Sequence, residues 1–347
     1  MKILSLDLGK YKTVGCVYER ETGAHRFRAS LTTPAALQQL VKEVRPDRVV
    51  IEVCNIAGWV CDLLRGMGVE VQVANTNDDA WRWRKVKKKN DRRDALKAAQ
   101  LSAVNQIREV YVPRIEVRQW RALIAFRQQL VRRRGAIKNH IRDLLVSEGQ
   151  LLPRGGKCWT QIGVARLEEM ARPLAETGSS ELWRGQLGIE LRQLREVQQE
   201  IAAAEEKLDA LAANDPRITL LRTVPGVGPR LAEAIVSLID QPGRFRKANE
   251  VSAYIGMVPK ELDSGETVRR GPITKQGSRL VRSLLVEVAW AGLRYNPWVR
   301  ETYQRISGGK KSRKKIAIVA VGRRLLVRCW AMLRDGTSWR APLSNAA

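Results

Sequence analysis

KILSLDLGKYKTVGCVYERETGAHRFRASL, residues 2–31, holds three short β-forming runs at close spacing. KILSLDL (2–8) alternates apolar with polar residues and stops at Gly9. TVGCVYE (13–19) and HRFRASL (25–31) follow, joined by the turn RETGA, so the stretch predicts three hairpin strands. Beyond it, TPAALQQLVKEV (33–44) has helical spacing, with Thr33 as N-cap and Pro34 at the first helical position. RVVIEVC (48–54) is a short buried strand, GWVCDLLRGMG (58–68) a helix ended by Gly68, and VEVQVAN (69–75) another strand. Hairpin strands followed by alternating helix and strand predict an α/β sheet of about five strands.

Asp7 lies in the first of these strands and Glu52 in the fourth. In a ribonuclease H arrangement those two strands are neighbours, and the acids stand side by side. An acid ending a buried apolar strand is costly unless it is paired or bound to metal.

The rest of the composition narrows the class. The chain has 347 residues, more than one core usually spans, and 44% of them are hydrophobic. The net charge is +26 and the pI about 10.5. Such an excess is most simply neutralised by a polyanion, nucleic acid first and an acidic membrane surface second. No apolar run reaches the roughly 18–20 residues that span a bilayer. The start, MKILSLDLGK, meets an aspartate too early for a signal peptide. Five scattered cysteines without a C-x-x-C pair point to a reducing, cytoplasmic setting. With only His25 and His140 present, a metal would be held by oxygen, which suits magnesium or manganese.

Asp91 and Asp94 sit in VKKKNDRRDALKAAQ (86–100), within the most basic run of the chain. From Arg82 to Arg93 eight of twelve residues are Lys or Arg, and Asp91 is the only acid. Two acids three apart at a helix start, after the cap Asn90, share a face and suit the helix dipole. Charge balance and capping would explain that pair alone. Together with Asp7 and Glu52 the set also supplies four oxygen ligands, as a two-magnesium phosphodiester site requires. Arg82, Arg84, Lys87, Lys88 and Lys89 would then grip the nucleic-acid backbone. Trp81 and Trp83 read equally as base-stacking platforms or as loop anchors.

Farther on, residues 116–148 carry apolar positions at threes and fours amid arginines. A second helix, roughly 187–213, has a heptad seam of Leu187, Leu191, Leu194, Val197, Ile201, Ala204, Leu208 and Leu211. An intramolecular antiparallel pair and a dimerisation stalk both satisfy the pattern, and its regularity leans toward self-association. VPGVGP (224–229) between two helical patterns has the form of a helix-hairpin-helix, with Gly226 and Gly228 letting backbone N–H groups approach a phosphate. A polar loop, GMVPKELDSGETVRRGPITKQGS (256–278), feeds a helix beginning near Ser278. Within it Ser264 is a turn serine on local grounds. It is also a candidate nucleophile, with Arg269, Arg270 and Lys275 following as a phosphate-holding cluster. The final segment reads as a basic helix with one apolar face.

LSLDLGK, IEVCNIAGW, KNDRRDALKAAQL, VPGVGPRLAEAI and SGETVRRGPITKQGSRLVRSLL, in this order, resemble the DEDD transposases of bacterial insertion sequences, often called the IS-one-ten family. The motifs cover nearly the whole chain. The resemblance implies a RuvC-like domain of ribonuclease H fold over 1–110, a helical coiled-coil stalk over 111–213, and a mainly helical transposase domain over 214–347. It implies that Asp7, Glu52, Asp91 and Asp94 bind magnesium, and that Ser264 forms a covalent serine–DNA intermediate. It further implies DNA partners (element ends and target), a structured noncoding guide RNA, assembly to dimers or tetramers, a composite site built by two domains, and a bacterial, nucleoid-associated location. One departure is Asn55, where many members have glycine. Asn tolerates left-handed geometry, so activity is expected to survive. The other readings are a metal-only RuvC-like nuclease or junction resolvase, and a noncatalytic nucleic-acid scaffold.

Overall fold

The computed structural model describes residues 1–75, 90–153, 155–261 and 270–340. The chain divides into two compact units, Met1–Arg118 and Gln119–Ala347.

In the first unit the strands are β1 (Lys2–Leu8), β2 (Lys12–Glu19), β3 (His25–Leu31), β4 (Arg48–Glu52) and β5 (Glu70–Ala74). The helices are α1 (Pro34–Val44), α2 (Ala57–Gly66) and α3 (Asp91–Ala103). The strands form one sheet in the order β3-β2-β1-β4-β5. β1 pairs antiparallel with β2, β2 antiparallel with β3, and β4 lies parallel to both β1 and β5. This is the ribonuclease H-like order expected from the hairpin-then-crossover pattern. Local chemistry behaves as read: Thr33 accepts a hydrogen bond from Ala36 N at the start of α1, and Pro34 follows it. Such a cap is worth about 1 kcal/mol.

Alternation along the strands sorts side chains to two faces. Leu4, Leu6, Val49 and Ile51 pack with Val41 of α1 and with Val60 and Leu64 of α2. Ile3 and Val50 pack on the opposite face with Ala98, Ala99 and Ala103 of α3. The small alanines let α3 lie close to the sheet. Gln72 and Arg48 tie its end to the strands, since Ser102 Oγ donates to Gln72 Oε1 at 2.6 Å and Arg48 reaches Ser102 Oγ at 3.4 Å.

The second unit is mainly helical. It contains α4 (Ile115–Ser147, most of its length), α5 (Gln161–Met170), α6 (Leu182–Ala212), α7 (Pro216–Arg222), α8 (Pro229–Ile239) and α9 (Ala248–Tyr254). A two-stranded sheet, β6 (Pro259–Glu261) and β7 (Arg270–Ile273), precedes α10 (Arg279–Tyr295), α11 (Pro297–Ser307) and α12 (Lys314–Asp335). Ser278 caps α10 through Val281 N, as the spacing predicted, but the strand pair had read as loop.

The heptad seam of α6 is consumed within the chain. Leu187, Leu191, Leu194, Val197, Ile201 and Ala204 share one core with Leu130, Ile137, Ile141 and Leu145 of α4. The pair runs antiparallel, because Arg127 pairs with Glu205 whereas His140 pairs with Glu190. The lean toward a self-association seam is therefore corrected to the intramolecular pair. Leu211 also leaves the seam: it is 45% exposed, and Ala212 is buried in its place. A helix of 3.6 residues per turn drifts from a strict heptad, so the next residue rotates inward.

α8 is enclosed on all sides, with every residue from Leu231 to Ile239 buried. Its final carbonyls have no helical partners. Three arginines satisfy them: Arg121 of α4 donates to Ser237 O and Leu238 O, Arg244 to Leu238 O and Ile239 O, and Arg217 to Asp240 O. Cations at a helix C-terminus also suit its dipole. Among the described residues no helix is long and apolar enough to cross a membrane.

Candidate active site

The parallel pairing of β1 with β4 aligns Leu6 with Ile51. Asp7 and Glu52 each stand one residue beyond that pair. Both lie on the face of Ile3 and Val50, the face that α3 covers. Ser5 shares this face; it is buried, and its hydroxyl finds no hydrogen-bond partner among the described residues.

Asn90 caps α3, accepting from Arg92 N at 3.0 Å, as expected. The two aspartates that follow differ. Asp94 is 6% exposed, on the side of α3 that carries the sheet-facing alanines, while Asp91 is exposed. Three residues along a helix is a 300° turn, so only one of two such neighbours needs to face a sheet squarely. Lys97, half-buried one turn after Asp94, is the cation that the motif reading passed over.

The site's donor set is carboxylate oxygen, which suits a hard divalent cation. The fold brings Asp7 and Glu52 to one face and lays the helix bearing Asp94 across it. Among the described residues no group of three or more His, Cys, Asp or Glu stands close enough to hold an ion. The fit is thus one of donor type and shared face, without a closed cage. Asn55 is exposed and is not among the described residues with positive φ, so nothing at that turn requires glycine's left-handed freedom.

Several sequence candidates lie outside the described residues: Trp81, Arg82, Trp83, Arg84, Lys87, Lys88, Lys89, Ser264 and Arg269. Arg270 opens β7, and Lys275 follows that strand with φ 59.

The glycine turn lies between α7 and α8 as read. Gly226 has φ 92, which an L side chain adopts only with strain, and Gly228 is the residue before α8. Both are exposed. The turn is braced by Asn296, which sequence reasoning missed. Its Nδ2 donates to Pro225 O at 3.1 Å, and its Oδ1 caps α11 through Val299 N. A second brace is Thr223 Oγ1, which accepts from Trp339 N at 3.0 Å. Trp339 stacks edge-on against Trp298, and Arg328 lies against both rings. An Asn before Pro297 reads from sequence only as a cap; its second bond spans 71 residues and has no local signal.

Behind the turn, on α8, Glu233 is fully buried. Burial pushes its carboxyl up to about 7, against the opposing pull of Arg230. Arg230 Nη1 donates to Glu233 Oε2 at 3.1 Å and also binds Asp209 of α6, while Glu233 Oε1 finds no partner among the described residues.

Comparison with known proteins gives the family of both parts of the chain. Residues 4–148, which include the four acids, match a transposase model of the DEDD type. Residues 218–304, which include the glycine turn and Ser264, match the "Transposase IS116/IS110/IS902 family". A ribonuclease H-like sheet bearing these acids, followed by that second match, places the chain in the class of DEDD transposases. The chain belongs to the IS110 family. It is 28% identical to a protein named "Probable family 20 transposase" of Pseudomonas aeruginosa, over 88% of this chain and 89% of that one. It is 27% identical to the transposase for insertion sequence element IS1111A of Coxiella burnetii, covering 86% and 81% respectively. A shorter likeness, 27% over 34% of this chain and 37% of the relative, links it to the pilin gene-inverting protein of Moraxella lacunata.

Proposed function

We propose that the protein cuts and rejoins DNA at the ends of an insertion sequence, using a divalent cation held by Asp7, Glu52, Asp91 and Asp94 and a nucleophilic Ser264. The observation that carries the reading is the β1–β4 register, which sets Asp7 and Glu52 side by side on the face that α3 covers. Magnesium bound there would stabilise the charge that develops on the phosphoryl oxygens. The chain's own residues do the remainder. The Ser264 hydroxyl attacks phosphorus, forming a serine–phosphate ester; a deoxyribose hydroxyl leaves and takes up the proton that the serine loses. The hydroxyl of a second strand end then attacks that ester, restores the phosphodiester and returns the proton to the serine. Cations of the 82–89 run and Arg269, Arg270 and Lys275 hold the backbone during both transfers. The turn at Gly226 and Gly228 offers backbone N–H groups to a further phosphate. A noncoding RNA encoded by the element selects the DNA by base pairing, and the acting species is a dimer or tetramer.

Denaturing electrophoresis of labelled DNA after incubation with protein and Mg2+ tests the reading. A protein–DNA adduct is expected with the unaltered chain and none with Ser264→Ala. Metal-dependent cutting that survives Ser264→Ala would replace it with a metal-only nuclease. Function that persists in both Asp94→Ala and Ser264→Ala would leave a binding scaffold.

A further inference from the structure

The strands β6 and β7 lead into and out of residues 262–269, the segment that contains Ser264. Beside these strands is a cavity of about 460 Å³, lined by Asn249, Ala253, Val258, Pro259, Lys260, Thr274 and Arg323. Among the described residues, the charged ones that line it are Lys260 from β6 and Arg323 from the middle of α12, and neither makes an ion pair with a described residue. Thr274 adds a buried hydroxyl with no hydrogen-bond partner among the described residues. Leaving such a donor unmatched is unfavourable, a cost that a ligand oxygen would remove. Asn249 adds an amide, while Ala253, Val258 and Pro259 form an apolar wall against which a sugar could lie.

The frame of this cavity is tightly built. Thr274 N donates to Val258 O at 2.9 Å and Lys275 N to Gly256 O at 3.0 Å. Gly256 and Gly277, with φ 69 and 70, close the two ends of the hairpin base. A Cβ at Gly256 would stand 2.2 Å from Gln276 N, and one at Gly277 would stand 2.1 Å from Tyr254 O. Arg282 ties the same crossing together through Ile255 O, Gln276 O and Gly277 O.

We propose that this cavity is a phosphodiester subsite, taking one nucleotide unit of the nucleic-acid strand on which the protein acts. Lys260 and Arg323 would neutralise the phosphate from two walls, and Thr274 would donate to one of its oxygens. The alternative is a solvated cleft that happens to carry two cations; the unmatched Thr274 hydroxyl argues against it, since chance charges do not bury a donor beside them. The inference rests on the nucleic-acid reading above.

The test is fluorescence anisotropy of the full chain with a labelled single-stranded oligodeoxynucleotide, and in a second arm an oligoribonucleotide of the same sequence, over roughly 50–200 mM salt. Lys260→Gln and Arg323→Gln are each expected to reduce the slope of log K against log salt, and the double variant to reduce it by about 0.7, one single-strand phosphate contact. Thr274→Val should weaken binding several-fold without changing the slope, and Thr274→Ser should restore it. Lys260 is exposed, so its variant reads out binding without burdening the fold. These effects in either arm support the site, and the arm identifies the strand that occupies it. Unaltered affinity and slope for all the variants in both arms would overturn the subsite while leaving the broader reading intact. A flat salt dependence of the unaltered protein would instead overturn the nucleic-acid reading itself.

Discussion

Asp7 and Glu52 stand near the ends of neighbouring parallel strands, each one residue past the Leu6–Ile51 pair, on the face that α3 covers. A divalent cation held there would take oxygen ligands from both carboxylates. Asp7→Asn and Glu52→Gln are therefore expected to lower DNA strand cleavage by about 10²-fold or more, because a metal contributes several kcal/mol to the transition state. A parent that gains melting temperature with Mg2+, beside variants that do not, would locate the ion at these residues.

Chelation gives an independent check on the same acids. Cleavage should stop in EDTA and return with Mg2+ or Mn2+, while cations without affinity for oxygen cages should fail to restore it. Cutting that continues undiminished in EDTA contradicts a carboxylate-held ion.

Glu233 holds its proton to about pH 7 in the folded chain, against an ordinary value of 4.5. A carboxyl raised on folding contributes stability that is fully present below pH 4.5 and is lost as pH rises through about 7. Glu233→Gln removes that dependence and leaves Arg230 its bond to Asp209. Urea unfolding should show the variant more stable at pH 8 by roughly 1–3 kcal/mol, with little difference near pH 5. Equal loss of stability at both pH values would contradict it.

Leu194 and Ile141 meet in the core shared by α4 and α6. Leu194→Ala and Ile141→Ala should each cost about 2–5 kcal/mol, and by the same amount at every protein concentration, because the seam is intramolecular. A cost that vanishes on dilution would instead mark the seam as an interface between chains.

Asn296 serves two partners, Pro225 O and Val299 N. Asn296→Ala should cost about 1–2 kcal/mol of stability. Asn296→Ser keeps a cap but loses the amide donor, so it should recover part of the stability and none of any lost DNA affinity. Full recovery of binding by serine would show that the brace on the glycine turn is immaterial.

Strand positions and helix starts were legible because their causes are local. Alternation in KILSLDL, the Thr33–Pro34 cap and Asn90 before Asp91 each act within a few residues, and each appears where the pattern placed it. The acids of β1 and β4 were legible for the same reason, once the hairpin-and-crossover order made those strands neighbours. The β6–β7 pair was not, since its strands are short and polar and carry little periodicity.

Sequence by itself determined the charge, the oxygen-only donor set, the run of hairpin strands followed by helix and strand, and the regularity of the α6 seam. Only the tertiary structure decided what that seam packs against. An apolar stripe states that it must be covered, and here α4 covers it from within the chain. Tertiary packing likewise buried Asp94 while leaving Asp91 in solvent, and it brought Asn296 to Pro225 and enclosed Glu233. Each of these depends on which distant element arrives at a given face, and no spacing along the chain records that.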